Sequence, residues 1–274
     1  MILLIITIVI ALLISIVLPV AAGFWVNRKF DVSFRVILYG SLAYLLVQAL
    51  LVILFKLFFT SLVENGTWVF SDNESIVIQI GLSVFLEAFF GVLIRWIGMK
   101  FLHEKLDTLE AAYGIGVGYG GVESILMVGL PLLSTFITML NNMAIDPGTT
   151  NLDPSSIIQI EELWQVSALI PLAGSLERIA AFVMHLTVTI LILQSFSRKN
   201  LFWLAGAFGL ELVEYGLIIG LAEIGLQQGW LVLISFLMML GNLYILYRLD
   251  AIKFLNIKRE EPIKQPKEGV EENS

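Results

Sequence analysis

The chain contains no cysteine among its 274 residues. This absence excludes disulfide bonds, a thiolate nucleophile and every metal site that depends on cysteine. Charge is also scarce, because only 14% of the residues are Asp, Glu, Lys or Arg while 58% are hydrophobic. A soluble domain of this length could not bury so much apolar surface, so lipid is the expected solvent.

Basic clusters are lacking as well. Lys and Arg are scattered along the chain and the formal net charge is −7, so we do not expect nucleic acid as a partner. Part of the acidic excess lies in the C-terminal stretch "KREEPIKQPKEGVEENS", which is polar and contains proline. We predict a single transmembrane domain over residues 1–250, followed by a disordered cytoplasmic tail over residues 251–274.

Long apolar runs occupy most of the remaining chain. At about 1.5 Å per residue, seven of them can cross a hydrocarbon core of about 30 Å. These runs lie at residues 2–25, 36–60, 76–99, 110–131, 171–194, 201–221 and 229–248. We therefore predict an all-α, polytopic membrane bundle of about seven transmembrane helices.

Three further features refine this topology. The first run lacks a basic n-region, so it is predicted to be a spanning helix rather than a signal peptide. The fourth run is expected to continue toward Asn141 after a kink at Pro131. The amphipathic stretch "SSIIQIEELWQVSALIPLAG" predicts a helix near residues 157–169 that lies at the membrane interface or packs as a short element.

Basic residues alternate between the predicted loops. They follow the first, third, fifth and seventh runs, whereas the loops at residues 61–75, 142–157 and 222–228 carry none. Positively charged loops remain in the cytoplasm. We expect an integral protein of a prokaryotic membrane, with its N-terminus outside and its C-terminus in the cytoplasm.

Polar residues within the apolar runs are the main functional signal, because charge at mid-membrane depth is costly. Counting residues from each end of a run places polar groups from five helices in one layer. Those near mid-depth are Glu87, Glu123, His185, Glu211, Glu214 and Asn242, while Glu177 and Arg178 lie nearer the outer face and Arg95 nearer the inner one.

Helical spacing orders some of these groups. Tyr119 and Glu123 are four residues apart and share a face, as do Glu211 and Glu214 at a spacing of three. Glu177 and His185, eight residues apart, can both face the bundle interior. Arg178 must then point elsewhere, toward a carboxylate of another helix.

The stretch "GIGVGYGGVES" contains five glycines, three before Tyr119 and two between Tyr119 and Glu123. Two interpretations stay open. Small residues allow membrane helices to pack closely, and they also allow a substrate or a second backbone to approach the carboxylate.

Carboxylates near a histidine can activate water, and a histidine or arginine can stabilise an oxyanion. Such a site inside a membrane suits hydrolysis of a peptide bond in a spanning segment. The pattern H-E-x-x-H is absent, and His103 and His185 are the two histidines in the chain. His185 and Glu123 are the candidate ligands of a divalent metal ion, although one histidine with glutamates makes a poor zinc site. Both a metal and no cofactor remain compatible with this sequence.

At these residues the chain resembles the YhfC family of glutamic- or metallo-type intramembrane proteases, which are similar in kind to the CPBP group. "GVGYGGVESILMVG" is similar to a glycine-rich motif that ends in glutamate, here Glu123. "PLAGSLERIAAFVMHLTVTIL" resembles a helix with an "ER…H" pattern, here Glu177, Arg178 and His185. "FFGVLIRWIGMKFL" resembles a helix with an "FEE..R" pattern and matches it at Phe90 and Arg95.

The sequence departs from the family pattern at several positions. Gly91 and Val92 stand at the paired glutamates, and Tyr119 stands at a histidine. Glu87 lies one turn upstream and is a candidate replacement for the pair. On the sixth helix a His…Asp-type pattern is represented by Glu211 and Glu214 alone.

The resemblance implies an intramembrane endopeptidase with about seven helices, acting on membrane-embedded protein or peptide substrates. Glu123, Glu177, His185 and Arg178 are then the expected catalytic residues. The supporting residues are Glu87, Tyr119, Glu211, Glu214 and Asn242. Because the paired glutamates are absent, two other hypotheses stay open: a catalytically inactive binding or chaperone protein, and a cation- or proton-coupled transporter.

Overall fold

The computed structural model describes residues 2–68, 72–101, 108–141 and 162–251. These residues form helices joined by turns, and no strand occurs among them. The predicted all-α polytopic membrane bundle is thereby confirmed, since seven helices are long and apolar enough to span a membrane. They are α1 Ile2–Phe30, α2 Phe34–Glu64, α3 Asp72–Phe101, α4 Leu109–Asn141, α5 Leu169–Ser197, α6 Phe202–Glu223 and α7 Gln228–Arg248.

Helix α5 lies at the centre of the bundle. It contacts α1, α3, α4, α6 and α7, and it is the most buried of the seven helices. Helix α4 packs between α5 and α2. The two helices that carry the glycine-rich and "ER…H" stretches are therefore direct neighbours.

Glycines bring α4 close to both of its neighbours. A Cβ atom added to Gly118 would lie 2.0 Å from the carbonyl oxygen of Ile37 in α2. A Cβ atom added to Gly120 would lie 3.0 Å from Cδ2 of His185 in α5. Any larger residue would push these helices apart, so the backbones can meet at these positions because glycine occupies them.

Three spanning helices contain a π-helical segment near their middle: Leu13–Val17 in α1, Leu46–Val52 in α2 and Ile125–Gly129 in α4. The segment in α1 precedes Pro19, which has no N–H to offer the carbonyl of Ser15. The hydroxyl of Ser124 donates to that carbonyl at 3.0 Å instead. The proline is thus accommodated by a contact between helices.

The fourth helix continues to Asn141, as expected from its sequence. Pro131 lies just after the π-helical segment Ile125–Gly129. Wider π turns already depart from the regular i to i−4 bonding pattern, which eases the insertion of a residue without an N–H.

The predicted helix near residues 157–169 lies in part outside the described residues. Residues 162–165 are helical, and a short break precedes α5. Leu163 and Trp164 pack against a small cluster formed by Leu4, Ile8 and Met139. The described part of this segment is therefore attached to α1 and α4. His103 and residues 252–274, which include nearly all of the predicted tail, lie outside the described residues.

Candidate functional site

The centre of the bundle holds two buried glutamates, Glu123 on α4 and Glu211 on α6. Both are almost fully shielded, with 3% and 0% of their surface exposed. An ionised carboxylate at such a place needs a partner of opposite charge. Each of them has its own arginine.

Glu123 is contacted through both of its oxygens. Oε1 accepts a hydrogen bond from Nη1 of Arg178 at 2.9 Å. Oε2 is paired with Nε2 of His185 and accepts a second bond from the hydroxyl of Tyr215 at 3.1 Å. Three helices, α4, α5 and α6, therefore meet at one carboxylate.

Glu211 is paired with Arg95 of α3, whose Nη2 lies 2.6 Å from each carboxylate oxygen. The same guanidinium donates through Nε to the carbonyl of Gly91 at 2.8 Å and through Nη1 to Thr189 at 3.3 Å. Its Cζ atom lies 4.2 Å from the ring centre of Tyr119. These contacts satisfy the charge and most donors of a fully buried arginine.

His185 joins the two pairs. Its Nε2 faces Glu123, and its Nδ1 lies 3.7 Å from Oε1 of Glu211. That Nδ1 has no hydrogen-bond partner within the described part of the chain. We call Arg95, Glu123, Arg178, His185 and Glu211 the central cluster. It contains two positive guanidiniums and two carboxylates, so it balances its own charge when His185 is neutral.

The backbone spacing explains why these side chains meet. Glu123 follows the glycine stretch that lets α4 approach α5, and His185 is the residue nearest Gly120. On α6, Glu211 and Tyr215 are four residues apart and share a face. The hydroxyl of Tyr215 thus reaches Glu123 while Glu211 reaches Arg95.

Several expected site residues lie away from the central cluster. Glu177 is half-exposed and accepts a hydrogen bond from Gln228 at 2.7 Å. Its neighbour Arg178 points to Glu123, a carboxylate of another helix, as the sequence suggested. Glu177 and His185 therefore do not converge on one point.

Two further acids have amide partners rather than charged ones. Glu87 is paired with the side chain of Gln48 in α2. Glu214 accepts a hydrogen bond from the side chain of Asn242 in α7. Neither carboxylate contacts His185 in the structure.

Tyr119 lies beside the cluster, with its ring centre 4.8 Å from that of His185. A Cβ atom added to Gly91 would lie 2.8 Å from the Tyr119 hydroxyl and 3.2 Å from Oε1 of Glu211. No side chain longer than hydrogen fits there without displacing this tyrosine. Tyr119 and Glu211 therefore fill the space beside Gly91, where the family pattern has a glutamate.

Tyr215, Gln48 and Thr189 were not among the expected site residues. Tyr215 could have been found, because it stands four residues after Glu211 in the same way that Glu123 stands four after Tyr119. Gln48 and Thr189 carried no comparable signal, since a single amide or hydroxyl in an apolar helix usually bonds to its own backbone or to a neighbouring helix.

A small cleft adjoins the cluster between α5, α6 and α7. Its volume is about 50 Å³, and Arg178 and Tyr215 separate it from Glu123. Glu177, Glu214 and Ser235 also lie along it. The Nε atom of Arg178 is buried and has no hydrogen-bond partner among the described residues. A group bound in the cleft would therefore lie next to Arg178 and Tyr215, two of the side chains that contact Glu123.

The central cluster does not fit a divalent metal ion. A zinc site needs three or four protein ligands with free lone pairs. Nε2 of His185 is directed at Glu123, which leaves Nδ1 as the one ring nitrogen of His185 without a partner among the described residues, and each carboxylate is already paired with a guanidinium. A divalent ion would add two charges to a cluster that is already neutral. Within the described ranges, no three His, Asp or Glu side chains are grouped so that they could hold a metal ion.

Comparison with known proteins places the chain in a family. It is 24% identical over 208 residues to a membrane protein of Bacillus subtilis (strain 168), YhfC, which is described as uncharacterized. That alignment covers 70% of this chain and 75% of the relative. No solved structure matches the chain significantly. Residues 14–238, which include all five members of the central cluster, match the YhfC intramembrane metalloprotease family, and the chain therefore belongs to this family.

Proposed function

We propose that this protein is an intramembrane endopeptidase in which Glu123 is the general base. The observation that carries the proposal is the Glu123 carboxylate itself. It contacts His185, and it also contacts Arg178 and Tyr215, which line the cleft between α5, α6 and α7. These are the groups that water activation and oxyanion stabilisation require. The proposed substrate is a peptide bond in a membrane-spanning segment.

The reaction consumes one water molecule. Glu123 takes a proton from that water while its oxygen attacks the carbonyl carbon of the substrate. The guanidinium of Arg178 and the hydroxyl of Tyr215 donate hydrogen bonds to the oxyanion that forms. Glu123 then gives its proton to the departing nitrogen, which leaves as an amine while the other product is a carboxylic acid.

His185 and the second ion pair position the base. With its proton on Nε2, His185 donates to Glu123 and keeps that carboxylate oriented. The Arg95–Glu211 pair lies on the other side of the His185 ring, with Oε1 of Glu211 3.7 Å from Nδ1 of His185. Glu177 and Glu214, which line the cleft, are proposed to contact the substrate, and Glu87, Tyr119 and Asn242 to support the site.

The family name implies a metal ion, but the donor set described above does not fit one. The proposed reaction therefore involves only side chains of this chain. Chelation of divalent metals is expected to leave it unchanged.

The decisive experiment measures cleavage of a labelled spanning peptide by the purified protein in lipid. Replacing the base in Glu123→Gln should lower the rate by about a hundredfold or more. Glu110→Gln is the matched control, because Glu110 lies in the first turn of α4 and outside the cluster. EDTA should change neither rate. Equal rates for the wild type and Glu123→Gln would refute the assignment of the base.

A second candidate function is capture of membrane proteins without cleavage. It is favoured by the filled space at Gly91 and by the arginine on each buried carboxylate. If the wild type cleaves nothing but retains the spanning peptide, and Glu123→Gln retains it equally well, this candidate replaces the first.

We also propose that the N-terminus lies outside the cell and the C-terminus in the cytoplasm of a prokaryote. The support is the distribution of basic residues, since Arg28, Lys29, Arg35, Lys100 and Arg198 all lie at one end of the bundle.

A further inference from the structure

A second polar cavity lies between α2, α3 and α6, away from the central cluster. Its volume is about 350 Å³, several times that of the cleft beside Arg178. Its polar lining consists of Lys56, Thr60, Gln79, Ser83 and Glu87. Of these, only Glu87 has a part in the proposed function.

The polar residues form two facing stripes. Gln79, Ser83 and Glu87 follow one another at intervals of four on α3, and Lys56 and Thr60 do so on α2. Residues at this spacing share one helix face. Two aligned polar stripes that face the same cavity indicate a polar compartment, whereas a single polar residue in a spanning helix does not.

Neighbouring faces of the same helices are apolar and exposed. Leu57 and Phe58 on α2 are exposed at 62% and 60%, and Phe85 on α3 at 45%. These side chains suit contact with lipid. In the polar stripes, Ser83 donates to the carbonyl of Gln79 at 2.6 Å, and Glu87 is paired with Gln48. The ammonium group of Lys56 would still be costly in lipid, because hydrocarbon does not solvate charge.

The cavity runs inward from one end of the bundle. Thr60 lies four residues before the end of α2 at Glu64. Glu87 lies in the middle of α3, where the amide of Gln48 contacts its carboxylate. One end of the cavity is thus close to the membrane surface, and the other reaches a carboxylate at mid-depth.

We propose that this cavity is a water-filled vestibule that admits water and small hydrophilic solutes to the Glu87 carboxylate. At about 30 Å³ per molecule it has room for roughly ten waters. Lys56 stands near its mouth and Glu87 at its floor, so an entering ion first meets positive charge.

In the proposed hydrolysis, the vestibule brings water within one helical turn of Gly91 and the central cluster. That role rests on the proposed function. The vestibule itself does not, and it can be tested without any turnover.

The test uses the natural absence of cysteine, which makes every introduced thiol unique. Ser83→Cys and Thr60→Cys place a thiol in the vestibule. Gly81→Cys and Leu57→Cys are matched controls on the same helices, since both positions are exposed and a Cβ atom at Gly81 meets nothing within 4 Å. Each variant is reconstituted in lipid vesicles and treated with a cationic, membrane-impermeant methanethiosulfonate reagent.

The thiolate attacks the sulfur of such a reagent and releases methanesulfinate, and a thiolate forms readily only where water is present. We expect both vestibule thiols to react about a hundredfold faster than either control. A cooperative thermal unfolding transition establishes that each variant is folded. If one of the two vestibule variants does not fold, the labelling rate of the other is enough for the test. Vestibule thiols that react as slowly as Gly81→Cys and Leu57→Cys would mean that lipid fills the cavity, and would overturn the proposal.

A second measurement tests the position of Lys56. In the Ser83→Cys background, Lys56→Gln should raise the rate ratio of cationic to anionic reagent by about five- to tenfold, because it removes the positive charge at the mouth. An unchanged ratio would show that Lys56 does not face the entering solute and would contradict this account of the mouth. Adding Glu123→Gln should not change the labelling rate of the Ser83→Cys thiol. The labelling test can therefore succeed or fail independently of the cleavage assay.

Discussion

Each buried carboxylate of the central cluster has its own guanidinium. Inside a membrane the alternative to pairing is an isolated charge without water, which costs far more than the same charge at a protein surface. Arg95 is the extreme case, with no exposed surface at all. Its bonds to Glu211, Thr189 and the carbonyl of Gly91 replace the hydration that it has lost.

The Arg95–Glu211 pair predicts a clear stability effect. Arg95→Ala leaves the Glu211 carboxylate buried without its partner and should lower the free energy of unfolding by about 3–5 kcal/mol. Removing both charges in Arg95→Met with Glu211→Leu should recover much of this loss, because no unpaired charge remains. Thermal and denaturant unfolding in detergent micelles measures both effects.

Arg35→Ala is the control for this prediction, because Arg35 is exposed near the start of α2. It should change stability by less than about 0.5 kcal/mol. If Arg95→Ala were no more destabilising than Arg35→Ala, the pair would contribute nothing to the fold.

Among the elements, α4 depends most on close approach. Its glycine face allows the backbones of α2 and α4 to touch, and Ser41 of α2 donates a hydrogen bond to the carbonyl of Gly118 at 3.2 Å. The geometry of this contact supports the packing interpretation of the glycine stretch. It also places Glu123 one to two turns further along, where α4 meets α5.

Gly118→Ala should therefore separate α2 from α4. The added Cβ atom would lie 2.0 Å from the Ile37 carbonyl oxygen, a distance that only a backbone shift can relieve. We expect a loss of about 2 kcal/mol or more in unfolding free energy. The measurement is again unfolding in micelles.

Gly206→Ala provides the comparison on α6. A Cβ atom there meets nothing within 4 Å, and alanine favours the helix over glycine by up to about 1 kcal/mol. This variant should be as stable as the wild type or more so. Equal destabilisation by both substitutions would mean that helix contact at Gly118 is not the cause.

The whole molecule has one end rich in cations and aromatic rings. Lys29 lies over Trp25, Lys100 over Trp96 and Arg198 over Trp203, with each charge 4.6–5.2 Å from the ring centre. Basic and aromatic side chains of this kind anchor helices at the membrane surface. The residues that line the cleft and the proposed vestibule lie toward the opposite half of the bundle.

The proposed orientation predicts which end meets the cytoplasm. Thr67→Cys, between α2 and α3, should react with an impermeant thiol reagent added to intact cells. Ser197→Cys, at the end of α5, should react only after the cells are opened. Both positions are exposed, and the reverse pattern would invert the topology.

Much of the architecture follows from composition and apolar run length. Runs of about 20 apolar residues have no stable place in water, and in lipid they satisfy their backbone only as helices. The seven predicted spans correspond to α1–α7, although each helix extends beyond its apolar run at one end or at both. Helical hydrogen bonding does not stop at the edge of the hydrocarbon, so hydropathy underestimates helix ends.

The depth of each polar residue in the membrane could also be predicted, because counting residues along a helix measures distance through the membrane. The rotation of each helix could not. Glu123, Glu211 and Glu214 all lie toward the middle of the membrane by counting, yet Glu214 faces Asn242 rather than the central cluster. Glu177, placed nearer the outer face, is bonded to Gln228 instead. Which sides of two helices meet depends on packing across the bundle, and this is not encoded in the spacing within either helix.

The sequence by itself determined that the chain is a helical membrane protein with several acids near one depth, because hydrophobic length and helical rise are local properties. Only the tertiary structure decided that Arg178 and His185 join Glu123, that Arg95 neutralises Glu211, and that Tyr119 fills the space beside Gly91. The three side-chain pairs among these contacts connect residues 55 to 116 positions apart. They arise where glycine faces let separate helices approach, and they exist only once all of those helices are packed together.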